Sequence, residues 1–449
     1  MKSSSRIHNS CSEVDVGRDR LSEMPDEVII HILSCMPTLD AVRTVLLCRF
    51  GNLWTLVPTL KFNICEPDYL DYYEFEQFNI FIRNVLMLHK KLSIDTFHLH
   101  TDYWDYIDSK GVDDVKIWLR FALGRQAKEI EFRTQCDYPF LHNFISQSLV
   151  TLTLYGCSID PQLQVTLTSL KKLSLEFVSM CDEAFQQFIS GCPSLQELLI
   201  VNPYGIKKLS LSAPNIDKLS LFHDDECHGA NLMLLDIPNL KSLDLNVCPV
   251  IIDVSSVRDL HMEDFFGDRY YFDKDDELNT KLKMFLGKCK DVEVFRLSRD
   301  ASRQFLDAIQ SLCLSQNRWK CVVLELGTFA ENYLLGIYQL MSSLKHLEEL
   351  IIYSEYEYRG ASTVLIPVEL SSPCVMPKLR SVTLHVYSKP WDRWLQLVQF
   401  VLRSAACLEK LVIVPNNKYY QLTTAEELEF FKLVSSFHRS SPNASVLFA

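Results

Sequence analysis

The sequence predicts an α/β protein: a three-helix unit at the N-terminus, then a solenoid built as a curved parallel sheet with helices on its convex side. Three observations predict it. At 449 residues the chain is too long for one compact core unless that core grows along one axis by repetition. The motif LxxLxL, with Ile, Val or Phe replacing some leucines, restarts at Leu149, Leu170, Leu195, Ile216 and Leu240, at spacings of 21 to 25 residues. Ahead of these repeats, residues 19–58 carry the boundary chemistry of short helices instead.

In chain order, residues 1–18 are polar and mixed in charge, which predicts a disordered lead-in rather than a secretory signal. Pro25 suits a first helical turn, where its missing N–H costs nothing, and Asp26 and Glu27 place negative charge at the positive end of the helix dipole. Val28 and Ile32, with Ile29 and Leu33, pair at i,i+4. Pro37 stops that helix, and Thr38 is the expected N-cap of a second one containing Val42, Val45 and Leu46. A third short turn holds Phe50, Leu53 and Trp54. Three small helices cannot enclose much apolar surface, so the unit is expected to lean on a partner. The acidic and aromatic run from Glu66 to Phe81 reads as a connector whose rings cap the first repeat.

The repeat spacing is that of leucine-rich repeats: each LxxLxL is a strand with its leucines turned inward, and the units must stack because one cannot bury its own apolar edge. Looser restarts stand at Ile94, Ala127, Val257, Val292, Cys321, Leu347, Leu379 and Leu408. The IKKLSL at Ile206 is out of phase and reads as a return strand. Segments such as DEAFQQFISGCP from Asp182 are amphipathic enough for the convex helices. Eight residues on from Leu149, Ile216, Leu240 and Leu408 stand Cys157, Asp224, Cys248 and Asn416, where the strand turns outward and its carbonyls want a small buried donor. On the concave side fall the third, fifth and seventh motif positions. Tyr155, Val201 and Phe222, flanked by Lys172 and Lys218, make a candidate contact strip for a partner with an apolar residue near an acidic one. The competing reading tucks Phe222 under a loop and leaves the lysines merely solvated.

Composition narrows the function. A formal charge of -12 argues against nonspecific nucleic-acid binding, and no apolar run approaches the ~20 residues of a membrane helix. The fifteen cysteines contain no CxxC pair, so reduced thiols in cytoplasm or nucleus are expected rather than disulfides or zinc. No GxGxxG, P-loop, GxSxG or HExxH motif occurs, so neither catalytic residues nor a cofactor are expected. His223-Asp224-Asp225-Glu226-Cys227-His228 has ligand-type residues, yet consecutive side chains on an extended strand diverge, and it reads as a polar loop rather than a metal site.

DRLSEMPDEVIIHILS, the Pro37-Thr38 break, DAVRTVLL and NLWTLVP resemble an F-box of the plant type. From about Cys374, MPKLRSVTLHV, CLEKLVI and SSFHRSSPNASVLFA resemble the FBD-type ending of plant F-box/leucine-rich-repeat proteins. The resemblance implies a division into lead-in 1–18, F-box 19–60, connector and N-terminal cap 61–93, leucine-rich repeats 94–373, and last repeats with an FBD-like cap 374–449. It further implies a non-catalytic substrate-recognition subunit of an SCF-type ubiquitin ligase. Such a subunit docks on a Skp-type adaptor, and through it on a cullin scaffold, while the repeats hold a protein substrate. Carried onto this sequence, the adaptor-facing set is Leu21, Met24, Pro25, Val28, Ile32, Leu33, Val42, Val45, Leu46 and Trp54. Two positions depart from the family pattern. Met24 replaces a leucine, a volume-conserving change. Arg49-Phe50-Gly51 stands where members carry a longer basic and Trp-containing stretch; one lost residue turns a helix by about 100°. That departure keeps open an alternative, a repeat scaffold that binds a partner without recruiting a ligase.

Overall fold

A computed structural model describes residues 23–46, 51–64, 72–101, 109–206, 208–223, 232–246, 256–263, 276–328, 331–356, 375–386, 391–415 and 424–448. The chain forms two compact units, Met1–Thr134 and Gln135–Ala449. No helix among the described residues is long and apolar enough to cross a membrane.

In the first unit, α1 (Asp26–Ser34) starts where Pro25, Asp26 and Glu27 place it; the Pro25 carbonyl accepts from Val28 and Ile29 N–H at 3.1 and 3.2 Å. α2 (Thr38–Arg43) continues into a 3₁₀ turn, Thr44–Leu46, and a second 3₁₀ turn covers Leu53–Leu56. Thr38 is not the N-cap. Pro37 holds that position, and the Thr38 hydroxyl, buried, instead accepts the Lys61 N–H at 2.7 Å. That bond ties the helices to β1 (Thr59–Ile64), a strand that the sequence reading missed.

β1 pairs in parallel with β2 (Thr96–Thr101), and β2 with the first residues of β3 (Glu129–Ser146). Leu60 and Phe62, Phe97 and Leu99, and Ile130 and Phe132 alternate inward, none more than 2% exposed. Phe62, Phe97 and Phe132 stack across the strands, with ring centroids 5.8 Å apart at each step. Val57, buried, takes the first leucine position, so a repeat already begins inside the segment expected to be purely helical. α3 (Tyr72–Leu88) sets Phe81 edge-on to Phe62 at 6.2 Å, so one ring of the Glu66–Phe81 run does cover the first strand. Arg83 of α3 grips Asp114 of α4 (Ser109–Gly124) through two bonds, 3.0 and 2.5 Å.

In the second unit the parallel sheet runs through β4 (Thr151–Leu167), β5 (Lys172–Glu176), β6 (Glu197–Val201), β8 (Lys218–Phe222), β10 (Ser242–Leu245) and β11 (Asp259–Met262). It continues through β12 (Val294–Leu297), β13 (Cys321–Thr328), β14 (Glu349–Tyr356), β15 (Ser381–Val386), β16 (Lys410–Pro415) and β17 (Ser445–Phe448). Each of these strands from β4 to β16 starts two residues after a buried motif residue, so that Leu152, Leu173, Leu198, Leu219 and Leu243 lie side by side in one row. One expected start moves. The register sets Cys321 beside Val294 and Glu349, so the motif begins at the buried Trp319, not at Cys321. The Trp319 ring packs 4.2 Å from Phe295 and its indole N–H donates to the Cys289 carbonyl at 2.9 Å.

Helices α5 (Asp182–Ser190), α6 (Asp276–Lys288), α7 (Arg299–Ala308), α8 (Glu331–Ser343), α9 (Trp391–Ser404) and α10 (Thr424–Ser436) fill the return segments of many repeats. On α5, Ala184, Phe185, Phe188 and Ile189 are buried, as its amphipathic spacing predicts. Elsewhere return segments are extended rather than helical. β3 and β4 run on as extended chain past their LxxLxL cores, where Pro139 and Pro161 disfavour a helix interior. β7 (Lys208–Ser212) and β9 (Leu232–Asp236) pair in parallel as a separate two-stranded sheet. The out-of-phase IKKLSL is therefore a strand outside the main sheet, and its KLSLS alternates with period two rather than 3.6.

A polar ladder stitches the turns. The residue just before a repeat's first leucine donates to a carbonyl of the preceding repeat: Ser169 to Gln147, Ser194 to Thr168, Asn215 to Pro193 and Asn239 to Pro214, each at 2.7 Å. Such bonds satisfy backbone carbonyls that leave the sheet without a strand partner. Cys157 meets its expected role, its thiol reaching the Tyr155 carbonyl at 3.3 Å; Asp224, Cys248 and Asn416 lie outside the described residues. Asn246 does the same work more strongly, accepting from His223 N–H at 2.7 Å and donating to its carbonyl at 2.9 Å.

Candidate functional site

Two surfaces carry the chemistry of recognition. The first is on the N-terminal helices. Val28 and Ile32, one turn apart on α1, are 42% and 38% exposed, and Val45 and Leu46 after α2 are 48% and 85% exposed. Leu39 and Leu56, which the sequence reading did not single out, are exposed beside them in the chain order of the same helices. Pro25 is exposed, and Met24 and Val42 are half-buried. Leu33 and Trp54 are placed differently: at 3% and 5% exposure they sit inside, where they hold α1 and the second 3₁₀ turn together. They brace the apolar face from behind rather than form it. Leu21, Arg49 and Phe50 lie outside the described residues, and Gly51 is a half-buried turn residue. Apolar residues of this size left open to water carry a hydration cost that a partner helix or groove removes.

The second surface is the open face of the repeat sheet, opposite the buried leucines. Tyr155, Glu176, Val201 and Phe222 lie side by side in register. Tyr155, Val201 and Phe222 are half-buried, and Tyr155 leans on Phe177 at 5.2 Å between ring centroids. Phe177 takes a left-handed backbone (φ 54°) to do so. The lysines of the candidate strip are not free: Lys172 pairs with Glu197 at 2.9 Å, and Lys218 lies 4.0 Å from Asp244. Glu176, held by the Ser174 hydroxyl at 2.8 Å, interrupts the apolar row between Tyr155 and Val201.

Farther along, the fifth positions form one row: Asp244, His261, Arg296, Val323, Ile351, Thr383, Val412 and Leu447. Its first half is charged. Asp244, Asp259, Glu263 and Glu325 gather there around His261 and Arg296, which pairs with Asp259. Burial raises the Glu263 carboxyl, and the neighbouring Asp244 and Glu325 charges push the same way against His261. Apart from Thr383 its second half is apolar, with Leu447 49% exposed, and Tyr353, two residues beyond Ile351 on the same face, is 37% exposed. The Tyr353 ring stacks on His385 at 4.2 Å, and burial holds that imidazole below its ordinary range. The sequence reading missed this apolar end because it followed the open-face positions only as far as Asn246.

Comparison with known proteins gives two domain matches and several relatives. Residues 21–50 match the F-box domain, and residues 85–273 match the leucine-rich-repeat domain described as At1g61320/AtMIF1, LRR domain. The F-box/FBD/LRR-repeat protein At5g56420 of Arabidopsis thaliana is 26% identical over 96% of this chain and 99% of its own length. The chain thus carries an F-box match and a leucine-rich-repeat match and is similar, over nearly its whole length, to Arabidopsis proteins of the F-box/FBD/LRR-repeat kind. The F-box/LRR-repeat protein At5g02910 of the same plant is 30% identical over 56% of this chain and 54% of its own. The F-box/FBD/LRR-repeat protein At2g26030 is 26% identical over 96% of this chain and 99% of its own. The F-box match falls on α1, α2 and the exposed apolar residues they carry, and the repeat match on strands of both units.

The ligand-type cluster expected least is the one the fold assembles. His223–His228 lies largely outside the described residues, but His98 and His100 of β2 meet Glu129 and Glu131 of β3. The Glu131 carboxyl is held down at about 2, chiefly through its contact with the His100 imidazole and also by Arg133, while burial opposes both.

Proposed function

We propose that this chain is the substrate-recognition subunit of an SCF-type ubiquitin ligase. The F-box helices dock on a Skp-type adaptor, which bridges to a cullin scaffold, and the open face of the repeats holds a protein substrate. The chain itself makes or breaks no bond; it acts by position, bringing a substrate lysine near a ubiquitin-charged enzyme. The observation that carries this reading is the exposed apolar set Val28, Ile32, Val45 and Leu46 within a segment matching the F-box domain. Leu33 and Trp54 serve that face from beneath. On the repeats, Tyr155, Val201 and Phe222 remain a substrate strip, with the apolar end at Ile351, Tyr353, Val412 and Leu447 as its extension. The reduced state of the described cysteines suits the cytoplasm or nucleus. The test is co-expression with a Skp-type adaptor followed by size exclusion: a stoichiometric complex supports the proposal, and separate elution of the two proteins refutes it. A ligase-independent scaffold is the second reading, favoured by the altered Arg49-Phe50-Gly51 stretch, and it predicts separate elution with substrate capture intact.

A further inference from the structure

We propose that His98, His100 and Glu131 form a divalent-cation site of the zinc class on the open face of the first unit, independent of the adaptor and substrate surfaces. The placement follows from the strands. On β2, Phe97 and Leu99 are buried at 0% exposure, so the alternate residues His98 and His100 point together to the open face. β3 pairs in register with Glu131 beside His98 and Arg133 beside His100, while Ile130 and Phe132 lock it into the core. The packing below leaves these side chains little freedom, which is what a metal site needs from its scaffold.

The geometry suits a small coordination sphere. The His98, His100 and Glu131 ligand atoms all lie within 4.8 Å of one another. His100 Nε2 is 3.1 Å from Glu131 Oε1, and His98 Nε2 is 3.7 Å from Glu131 Oε2. Ligands at about 2.0–2.2 Å around a tetrahedral ion stand roughly 3–3.6 Å apart, so little movement is required. The two imidazole rings lie nearly parallel, 10° apart, and both Nε2 atoms face the Glu131 carboxylate. His100 Nε2 is shut off from water and, despite its nearness to Glu131, has no hydrogen bond of acceptable angle. A buried nitrogen lone pair without a donor is an uncompensated cost that a cation removes. Two imidazoles and one carboxylate are a donor set for zinc and its neighbours rather than for calcium or magnesium. Glu129, whose Oε1 is 2.9 Å from His98 Nε2, can supply the fourth ligand, or water can.

The cluster also contains the cation's competitor. Arg133 Nε donates to Glu131 Oε1 at 2.5 Å, and Lys61 of β1 lies in register with His98 on the other side. Without metal, Arg133 neutralises Glu131; with metal, it must release that oxygen.

The test is titration of the metal-stripped full chain with Co(II), read by visible absorption, and with Zn(II), read by thermal shift. Wild type is expected to bind one more equivalent than the His98→Ala/His100→Ala double variant, with an affinity at least about tenfold higher at that site. Glu131→Gln, which keeps the side-chain shape, is the second variant should the first misfold, and it is expected to lose the same equivalent. Arg133→Gln is expected to tighten binding, because it removes the competing charge. Equal stoichiometry and affinity in wild type and the folded variants, or weaker binding in Arg133→Gln, would overturn the site.

Discussion

Val28, Ile32, Val45 and Leu46 on the F-box helices and Leu173, Leu175, Leu243 and Leu245 on β5 and β10 are the same kinds of residue with opposite fates. The first four are between 38% and 85% exposed; the second four are no more than 2% exposed. The cause lies in the architecture around them. A leucine on a repeat strand has a strand on either side and return segments behind it, so each repeat completes its neighbour. The F-box helices are too short to wrap around one another, and once Leu33 and Trp54 fill the interior, the described residues leave the other side exposed. The repeats cover their own leucines, whereas on the proposed function the F-box face is completed by the adaptor.

The comparison can be broken by putting a charge on each side of it. Leu243→Asp places a carboxylate between β8 and β11 and should cost more than about 4 kcal/mol, enough to unfold the second unit or drive it into aggregates. Ile32→Asp should leave the melting temperature within about 2 °C, since exposed substitutions usually fall within about 0.5 kcal/mol. Thermal denaturation of the two variants side by side decides it, and equal losses would mean that Ile32 is core. Leu33→Asp cannot serve here, because its 3% exposure makes any loss of binding a folding effect. Trp54→Ala tests the bracing role: a loss of about 3–5 kcal/mol is expected. It should be confined to hydrogen-exchange protection of α1 and α2 and absent from the β5–β10 strands.

A smaller effect is expected at Gly191, which follows α5. A Cβ built there would meet the Val165 carbonyl oxygen at 2.5 Å and its Cβ at 2.6 Å. Gly191→Ala should therefore cost about 1–3 kcal/mol through overpacking alone, because the backbone is ordinary (φ -75°). Chemical denaturation should show a lowered midpoint with an unchanged slope. Thiol labelling asks the same question without mutation. Cys35 on the F-box and Cys313 and Cys407 on the repeats are exposed, whereas Cys157, Cys192 and Cys289 are buried. Burial pushes the Cys192 thiol up to about 12, so near neutral pH it stays a protonated, unreactive thiol. Mass spectrometry after alkylation of the native protein should find the first three modified and the last three untouched. The buried thiols occupy different places in their repeats, Cys157 within β4 and Cys192 and Cys289 just after helices.

Much of this was legible in the sequence, for a physical reason: period-two burial with a 20–29-residue restart is written directly in which residues are apolar. α1 and α5 follow from boundary residues and amphipathic spacing in the same way. What stayed hidden depended on neighbours distant in the chain. Trp319 concealed a repeat start because a tryptophan can fill a leucine position only where Phe295 and Cys289 accept its ring and its N–H. The strand at Thr59–Ile64 went unread between the helical segment and the connector, and the Thr38–Lys61 bond that anchors it links residues far apart in sequence. β7 was read as a return strand because KLSLS alternates out of phase, but its partner β9 and their separate two-stranded sheet appear only once distant segments pair. Lys172 and Lys218 looked free until register set Glu197 and Asp244 beside them. His98 and Glu131 come together only once β2 and β3 are aligned, so no local spacing announces that cluster.

The division of labour between the two regions is tested most directly by measuring adaptor affinity for wild type, Ile32→Asp and the Tyr155→Ala/Phe222→Ala double variant, all shown to be folded. The account predicts that Ile32→Asp weakens adaptor binding by at least about 30-fold, the loss of a central anchor worth about 2 kcal/mol or more. It predicts that the repeat double variant binds the adaptor as wild type does. Unchanged affinity in folded Ile32→Asp, or a comparable loss in the repeat variant, would contradict it.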